Sequence, residues 1–415
     1  MPPDPAAVRC GVLLVGSELL DGRVRDLNLG ILARILYGEG IVVVEGRTVP
    51  DSSEDVARAL LDLSSRHGLV VSTGGLGSTC DDVTVEAAAA ALGLPLAANG
   101  EAEAMIRGRY RSWGAEVSSM ALRQSVLPLG AIPVGNPCGT APGIAIPGEP
   151  GRCPIVLLPG FPTEAGPLLP LCLGALGLHG RVVREERRTI RLWGVGESQL
   201  VEAVPGLQRP AGTSVSIVPS HGRLDVALDG GDAAVLEARI REAFPRHVYS
   251  DSQERSLEDA LADLLGARDL TLAVAESCTG GLVAKLLTDR PGASAWFLGG
   301  VTVYADALKT SLLGVPRELL EEHGAVSTAC AEAMAAGVWR LTGAGLSGAV
   351  TGIAGPGGAV PGKPVGTVCF AVRGPGDRSV SEERRFRGTR EAVRSAASAW
   401  LLGMLLEAPS GEAGR

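Results

Sequence analysis

Apolar, β-branched runs of strand length alternate with helix-period segments along most of this chain, and that alternation restricts the fold more than any other feature. Cys10-Gly11-Val12-Leu13-Leu14-Val15 predicts a buried strand, and Leu27, Leu29, Ile31, Leu32, Ile35 and Leu36 predict a helix halted by Gly38 and Gly40. Ile41-Val42-Val43-Val44 predicts the next strand, and Ser52 with Asp55 offers a capping box for a helix through Leu63. A third strand is expected at 68–72. Strand and helix in turn imply a largely parallel α/β sheet with helices on its faces. At 415 residues the chain exceeds one ordinary core, so two or three domains are expected.

Composition narrows the function classes. Net charge is −8 and aromatic residues make up 3%, whereas nucleic-acid binding draws on clustered Lys and Arg and on aromatic stacking platforms. Nucleic acid is therefore not an expected partner. The basic run at 181–191 is diluted by Glu185 and Glu186 and reads as a solvated strand face. Eight scattered cysteines show no zinc-ligand spacing and suggest a reducing compartment. No basic region followed by an apolar core opens the chain, and no apolar run reaches the roughly 20 residues of a membrane span. A cytoplasmic protein with no membrane partner is the expectation.

Chemistry-bearing residues gather at strand-to-helix junctions. After the third strand comes Thr73-Gly74-Gly75-Leu76-Gly77-Ser78-Thr79-Cys80-Asp81-Asp82, at the carboxyl end of a strand where α/β sheets bind ligands. Backbone N–H groups suit phosphate there, and Asp81 with Asp82 suit either a divalent metal or a helix cap. In the last third, Glu276-Ser277-Cys278-Thr279-Gly280-Gly281 follows an apolar strand and precedes a helical segment. Ser277 suits a nucleophile, with N–H groups of the 279–281 turn as oxyanion donors. Lys309 suits its base if neutral, which needs burial or a neighbouring cation. Tyr304 would relay a proton or orient the lysine. The Gly352–Gly358 loop suits a phosphate, with a bidentate contact from Arg390. Plainer readings stand beside these: Ser277 or Thr279 as helix N-caps, Tyr304 as a half-buried phenol, Lys309 as a surface amine, the glycine loop as a turn. A rival trio joins Cys278 as nucleophile to Glu276 and Lys309.

Between these regions, from about 187 to 249, short amphipathic strands at 189–193, 214–218 and 224–228 surround helical stretches at 197–204 and 233–243. This predicts a small α+β module.

Gly16-Ser17-Glu18-Leu19-Leu20, the 73–84 loop, Asn136-Pro137-Cys138-Gly139-Thr140-Ala141-Pro142-Gly143 and Leu158-Pro159-Gly160-Phe161-Pro162-Thr163-Glu164 together resemble the N-terminal domain of the CinA family. The stretches 275–281, 299–309, 324–327, 351–358 and 363–368 resemble its C-terminal domain. The resemblance implies a three-layer α/β molybdopterin-binding-like domain at 7–172, a KH-like α+β middle at 185–250 and an α/β amidase domain at 255–408. For the first it implies hydrolysis of ADP-ribose-like pyrophosphates with a divalent metal, at a site including Glu18, Gly74, Gly75, Asp81, Asp82 and Asn136. For the last it implies deamidation of nicotinamide mononucleotide without a cofactor. Carried over by position, Ser277 is the nucleophile, Lys309 and Tyr304 are its base system, and Ser294, Thr351, Gly352, Gly355, Arg390, Thr279 and Gly280 bind substrate. A homodimer is implied. The alternative is a non-catalytic nucleotide- or pterin-binding scaffold linked to competence or DNA damage. The chain departs from the family pattern at Ser78 (usually proline), Phe161 (usually small and aliphatic), Glu164-Ala165 (usually Glu-Met) and Ala305-Asp306-Ala307 (commonly Ser-Asn-Glu).

Overall fold

The computed structural model describes residues 8–79, 81–178, 187–207 and 212–408; Cys80, Arg181 and Arg184 lie outside them. The chain divides into two units, Met1–Arg184 and Glu185–Arg415.

In the first unit, strands β1 (Val8–Val15), β2 (Ile41–Val49) and β3 (Leu69–Thr73) precede a two-stranded ladder of β4 (Leu96–Ala98) and β5 (Val126–Pro128). Then come β6 (Ile132–Val134), β7 (Gly143–Ile146) and β8 (Ile155–Leu158). The main sheet has the order β2-β1-β3-β8-β7-β6. Its first four strands are parallel, and β7 and β6 add antiparallel. Period-two alternation along β1 places Cys10, Val12 and Leu14 on one face with Leu32, Leu36 and Leu168. Leu13 and Val15 face Val56, Leu60 and Leu63 on the other. That two-sided burial is why the strand reads as an uninterrupted apolar run. Ser52 Oγ accepts the Asp55 N–H at 3.4 Å, whereas the return half of the predicted box is replaced, since the Ser52 N–H donates to Pro50 O at 2.8 Å.

The second unit opens with an antiparallel sheet, β10-β11-β9-β12, built from β9 (Arg188–Trp193), β10 (Thr213–Ser220), β11 (Arg223–Gly230) and β12 (Val248–Ser250). Helices Glu197–Ala203 and Ala233–Ala243 bury Leu200, Leu236 and Ile240 with Ile190 and Val226 of the sheet. The predicted strand-face arginines are ion-paired here: Arg187 with Asp229, Arg188 with Glu237, Arg191 with Asp225.

The rest of this unit is a five-stranded sheet, β14-β13-β15-β16-β17. Strands β13 (Leu272–Glu276), β14 (Phe297–Thr302) and β15 (Leu346–Gly352) are parallel, and β16 (Thr367–Arg373) and β17 (Ser379–Arg385) run antiparallel beside them. Leu272 and Val274 pack with Leu401 and Leu405 of the last helix, Arg390–Glu407. Ala273 and Ala275 pack on the opposite face with Met334 and Val338 of helix Thr328–Thr342. The last helix also receives the antiparallel module: Trp193 and Trp400 rings lie 5.4 Å apart edge to face. Among the described residues, no helix is long and apolar enough to cross a membrane.

Candidate active site

Three parallel strands deliver their carboxyl ends to one place. Ser277 follows β13 directly, Tyr304 follows β14 by two residues, and Thr351 and Gly352 close β15. Backbone bonds fix the junction: the Ser277 N–H donates to Val350 O at 3.0 Å and the Val303 N–H to Glu276 O at 2.8 Å. The chain then turns through Gly281, at φ +90, into helix Leu282–Thr288.

Neither Ser277 nor Thr279 caps that helix. The cap is Glu276, 1% exposed, whose carboxylate accepts the N–H groups of Gly281 (3.0 Å), Val283 (3.0 Å) and Ala284 (2.8 Å). An anion at a helix N-terminus satisfies orphan donors and complements the dipole. This frees Ser277 from structural duty and commits both Glu276 oxygens, which removes Glu276 from the rival thiol trio. Burial also pushes the Cys278 thiol up to about 12, and Cys278 sits in the apolar cluster with Val350 and Val393. A thiol so held stays protonated at neutral pH, so the trio loses its nucleophile as well.

The oxyanion donors differ from those expected. The Gly280 N–H bonds Ser277 O at 3.0 Å and the Gly281 N–H bonds Glu276, so neither is available. Among the described residues, no backbone carbonyl takes the N–H of Cys278 or Thr279, and both lie against the Cys278 sulfur. The residue after a nucleophile on a strand-to-helix turn is a recurring oxyanion donor, and here that residue is Cys278.

Ser277, Tyr304, Lys309, Thr351, Gly352 and Arg390 line one cavity of about 200 Å³, with Asp306, Ala325 and Val326. Lys309 is buried, at 1% exposed, on helix Asp306–Leu313. Its ammonium donates to Asp306 Oδ1 at 2.9 Å and Tyr304 O at 3.4 Å. The surface-amine reading is thus wrong: of the two expected conditions, burial or a neighbouring cation, burial is met, while the charged group bonded to the ammonium is a carboxylate. Tyr304 is 60% exposed, not half-buried. Its hydroxyl accepts from Arg390 Nη2 at 2.9 Å, and Arg390 Nη1 donates to Gly355 O at 2.7 Å. Thr351 Oγ1 donates to Ala325 O at 2.7 Å.

Three expected substrate contacts fall elsewhere. Ser294 is exposed in the turn before β14, at the end of the sheet where Leu272 pairs with Phe297, opposite Ser277. Thr279 is fully buried, and its carbonyl takes Arg394 Nη2 at 2.6 Å. Gly280 does not line the cavity, and a Cβ there would lie 3.3 Å from the Arg394 guanidinium. Arg394 and the lining role of Asp306 were not foreseen. Arg394 lies one turn beyond Arg390, and that i, i+4 spacing was the available signal.

In the first unit the foreseen residues are dispersed. A cavity of about 30 Å³ is lined by Gly75, Gly77, Asp82, Arg123 and Gln124 but not by Glu18, Gly74, Asp81 or Asn136. A water needs about 10–15 Å³ on this measure, so this cavity holds about two waters and the other more than ten. Asp82 accepts the Gly77 and Thr79 N–H groups, both at 2.7 Å, and the Thr79 hydroxyl. Asp81 is exposed, and hydrogen bonds from Thr79 and from its own backbone hold its carboxyl below the usual range. Among the described residues, no three His, Cys, Asp or Glu side chains converge as metal ligands. Asp82 therefore braces its own loop, with Asp81 exposed beside it. Asn136 is a brace too: its Oδ1 accepts the Cys138 and Gly139 N–H groups and its Nδ2 donates to Glu164 at 2.7 Å. At Gly74, φ +103, a Cβ would run into the Val15 carbonyl, which explains the glycine without a ligand. Glu18 folds its carboxylate over Gly16.

A CinA-like protein of Geobacter metallireducens is 39% identical, covering 94% of this chain and 96% of its own. The chain belongs to the CinA family. A CinA-like protein of Anaeromyxobacter dehalogenans is 39% identical over 95% of this chain and 98% of its own length. The family model described as CinA C-terminal domain matches residues 254–408, and the one described as probable molybdopterin binding domain matches 11–176. The mixed α/β fold expected at both ends of the chain is therefore that of the CinA family. A solved structure of competence damage-inducible protein A from Klebsiella pneumoniae is 37% identical, with TM-score 0.37, covering 38% of this chain and 97% of its own.

Proposed function

We propose that the C-terminal part of this CinA-family chain hydrolyses the carboxamide of nicotinamide mononucleotide to nicotinate mononucleotide and ammonia. The observation that carries the reading is the single cavity shared by Ser277, Tyr304, Lys309, Thr351, Gly352 and Arg390, drawn from three strand ends and two helices. The Ser277 hydroxyl attacks the carboxamide carbon as neutral Lys309 takes its proton. The Cys278 and Thr279 N–H groups stabilise the developing oxyanion. The C–N bond breaks with the proton passing from Lys309 to the leaving nitrogen, and ammonia departs. Water then hydrolyses the acyl-serine, giving the carboxylate and restoring Ser277. Arg390 exchanges its contacts to Gly355 O and Tyr304 for the substrate phosphate, beside the 352–358 loop.

The test is ammonia release from nicotinamide mononucleotide, with and without chelator, for the native chain and Ser277→Ala. Chelator-resistant release that vanishes in the variant supports the serine mechanism, while a native chain that releases no ammonia refutes it. For the first unit, the Gly75–Gly77 turn and Arg123 around one small cavity support phosphate contact, with ADP-ribose as the proposed substrate. Chelator-sensitive release of AMP from ADP-ribose tests that. The family resemblance supports a homodimer, which sedimentation checks.

A further inference from the structure

We propose that Asp306 is a positioning residue for the Ser277–Lys309 chemistry: its carboxylate holds the Lys309 ammonium in a resting contact that must be released before the lysine can serve Ser277. This rests on the amidase reading above, and deepens it.

Lys309 and Ser277 line the same cavity, yet no hydrogen bond joins them. The Lys309 ammonium is instead engaged by Asp306 Oδ1 at 2.9 Å and, more loosely, by Tyr304 O at 3.4 Å. Both partners are acceptors, and the contact to Asp306 is a charge-assisted hydrogen bond. A charged lysine takes no proton from a serine. The contact therefore describes a resting state that must be relinquished before Ser277 is activated.

The geometry allows that release. The Lys309 side chain is 2% exposed, whereas that of Asp306 is 61% exposed at the first turn of its helix. The lysine is fixed by the core, and the carboxylate is the wet partner that water reclaims when ligand fills the cavity. No other group competes for the role. On the facing helix Thr328–Thr342, burial pushes the Cys330 thiol up to about 11, so it carries no charge at neutral pH. Lys363 donates to His323 O at 2.7 Å, and Arg390 is engaged by Gly355 O and Tyr304. Among the described residues, Asp306 is the one carboxylate bonded to Lys309. An asparagine there would offer an acceptor of the same shape without the charge.

Two measurements on the full chain test this. The first is the pH–rate profile of ammonia release for native, Asp306→Asn and Asp306→Glu proteins. With its carboxylate 61% exposed, the pair is worth up to about 1 kcal/mol, which at 1.4 kcal/mol per tenfold is about fivefold. Asp306→Asn should thus run about fivefold faster than native on the acid limb, with the ratio falling toward one at the plateau. Asp306→Glu should keep the native limb. A uniform loss at every pH would mark Asp306 as merely structural and overturn the proposal, as would superimposable profiles. The second measurement needs no turnover: acetic anhydride labelling of Lys309, read by mass spectrometry across pH. Faster labelling in Asp306→Asn, by about the same factor, supports the hold on Lys309 even where ammonia release fails. Equal labelling refutes it whatever the substrate.

Discussion

Replacing Glu276 separates a cap from a catalyst. Glu276→Ala deletes the acceptor for three N–H groups. The Val283 N–H is buried, and an unsatisfied buried donor costs about 1–3 kcal/mol. Water can reach the half-buried N–H groups of Gly281 and Ala284, so each forfeits only the net worth of a hydrogen bond, about 0.5–1.5 kcal/mol. The sum is about 2–6 kcal/mol, a large part of the roughly 5–15 kcal/mol that holds an ordinary domain together. Glu276→Gln keeps an acceptor oxygen but turns an NH₂ toward a donor, and should lose about half as much. Urea unfolding followed by tryptophan fluorescence reads this directly, since Trp193, Trp296, Trp339 and Trp400 all lie in the second unit. Ammonia release by folded Glu276→Gln supplies the other arm. A cap leaves turnover within about tenfold of native, whereas loss of a general base costs about 10²–10⁴. An alanine variant as stable as native, or a folded glutamine variant about 10³-fold slower, would refute the capping argument.

Three further outcomes are expected. Arg390→Lys should raise KM for nicotinamide mononucleotide by about tenfold with a smaller change in kcat, because a point charge replaces a planar fork; steady-state kinetics checks it. Gly403→Ala should lower stability by about 1–3 kcal/mol, since its Cβ would enter the Trp193 ring; an unchanged melting temperature would contradict that packing. In the first unit, hydrogen bonds from Arg66, then His67 and Arg47, hold the Glu45 carboxyl down to about 2. A depressed carboxyl stabilises the fold above its unfolded value, about 4.3, and loses that contribution as pH falls through about 2. Acid titration of the urea midpoint should therefore fall less steeply for Glu45→Gln than for native between those values.

Local pattern and tertiary proximity divided the work unevenly. Strands buried on both faces announce themselves as apolar runs, so β1, β3, β13 and β15 were legible. β17 was not: Ser-Val-Ser-Glu-Glu-Arg-Arg is an exposed antiparallel edge whose pairing to β16 carries no apolar alternation. The short β12 was missed for want of length. At the site, Ser277, Tyr304, Lys309 and Arg390 were named from residue type and position and Thr351 from the family resemblance, and the cavity gathers them. Ser294, named from the family resemblance alone, precedes β14 and so lies at the amino end of that strand, whereas the cavity lies at the carboxyl ends.

The sequence alone determined the alternating α/β plan, the strand-to-helix junction at Ser277 and the family, since these depend on periodicity, glycine placement and motif order. Only the tertiary structure decided which groups are spent. Glu276, Gly280 and Gly281 are consumed inside their own turn, Asp82 and Asn136 inside theirs, and Lys309 is held by Asp306. A residue's type fixes what it is able to donate or accept, and the folded neighbours within hydrogen-bond reach decide whether that capacity is still free for chemistry.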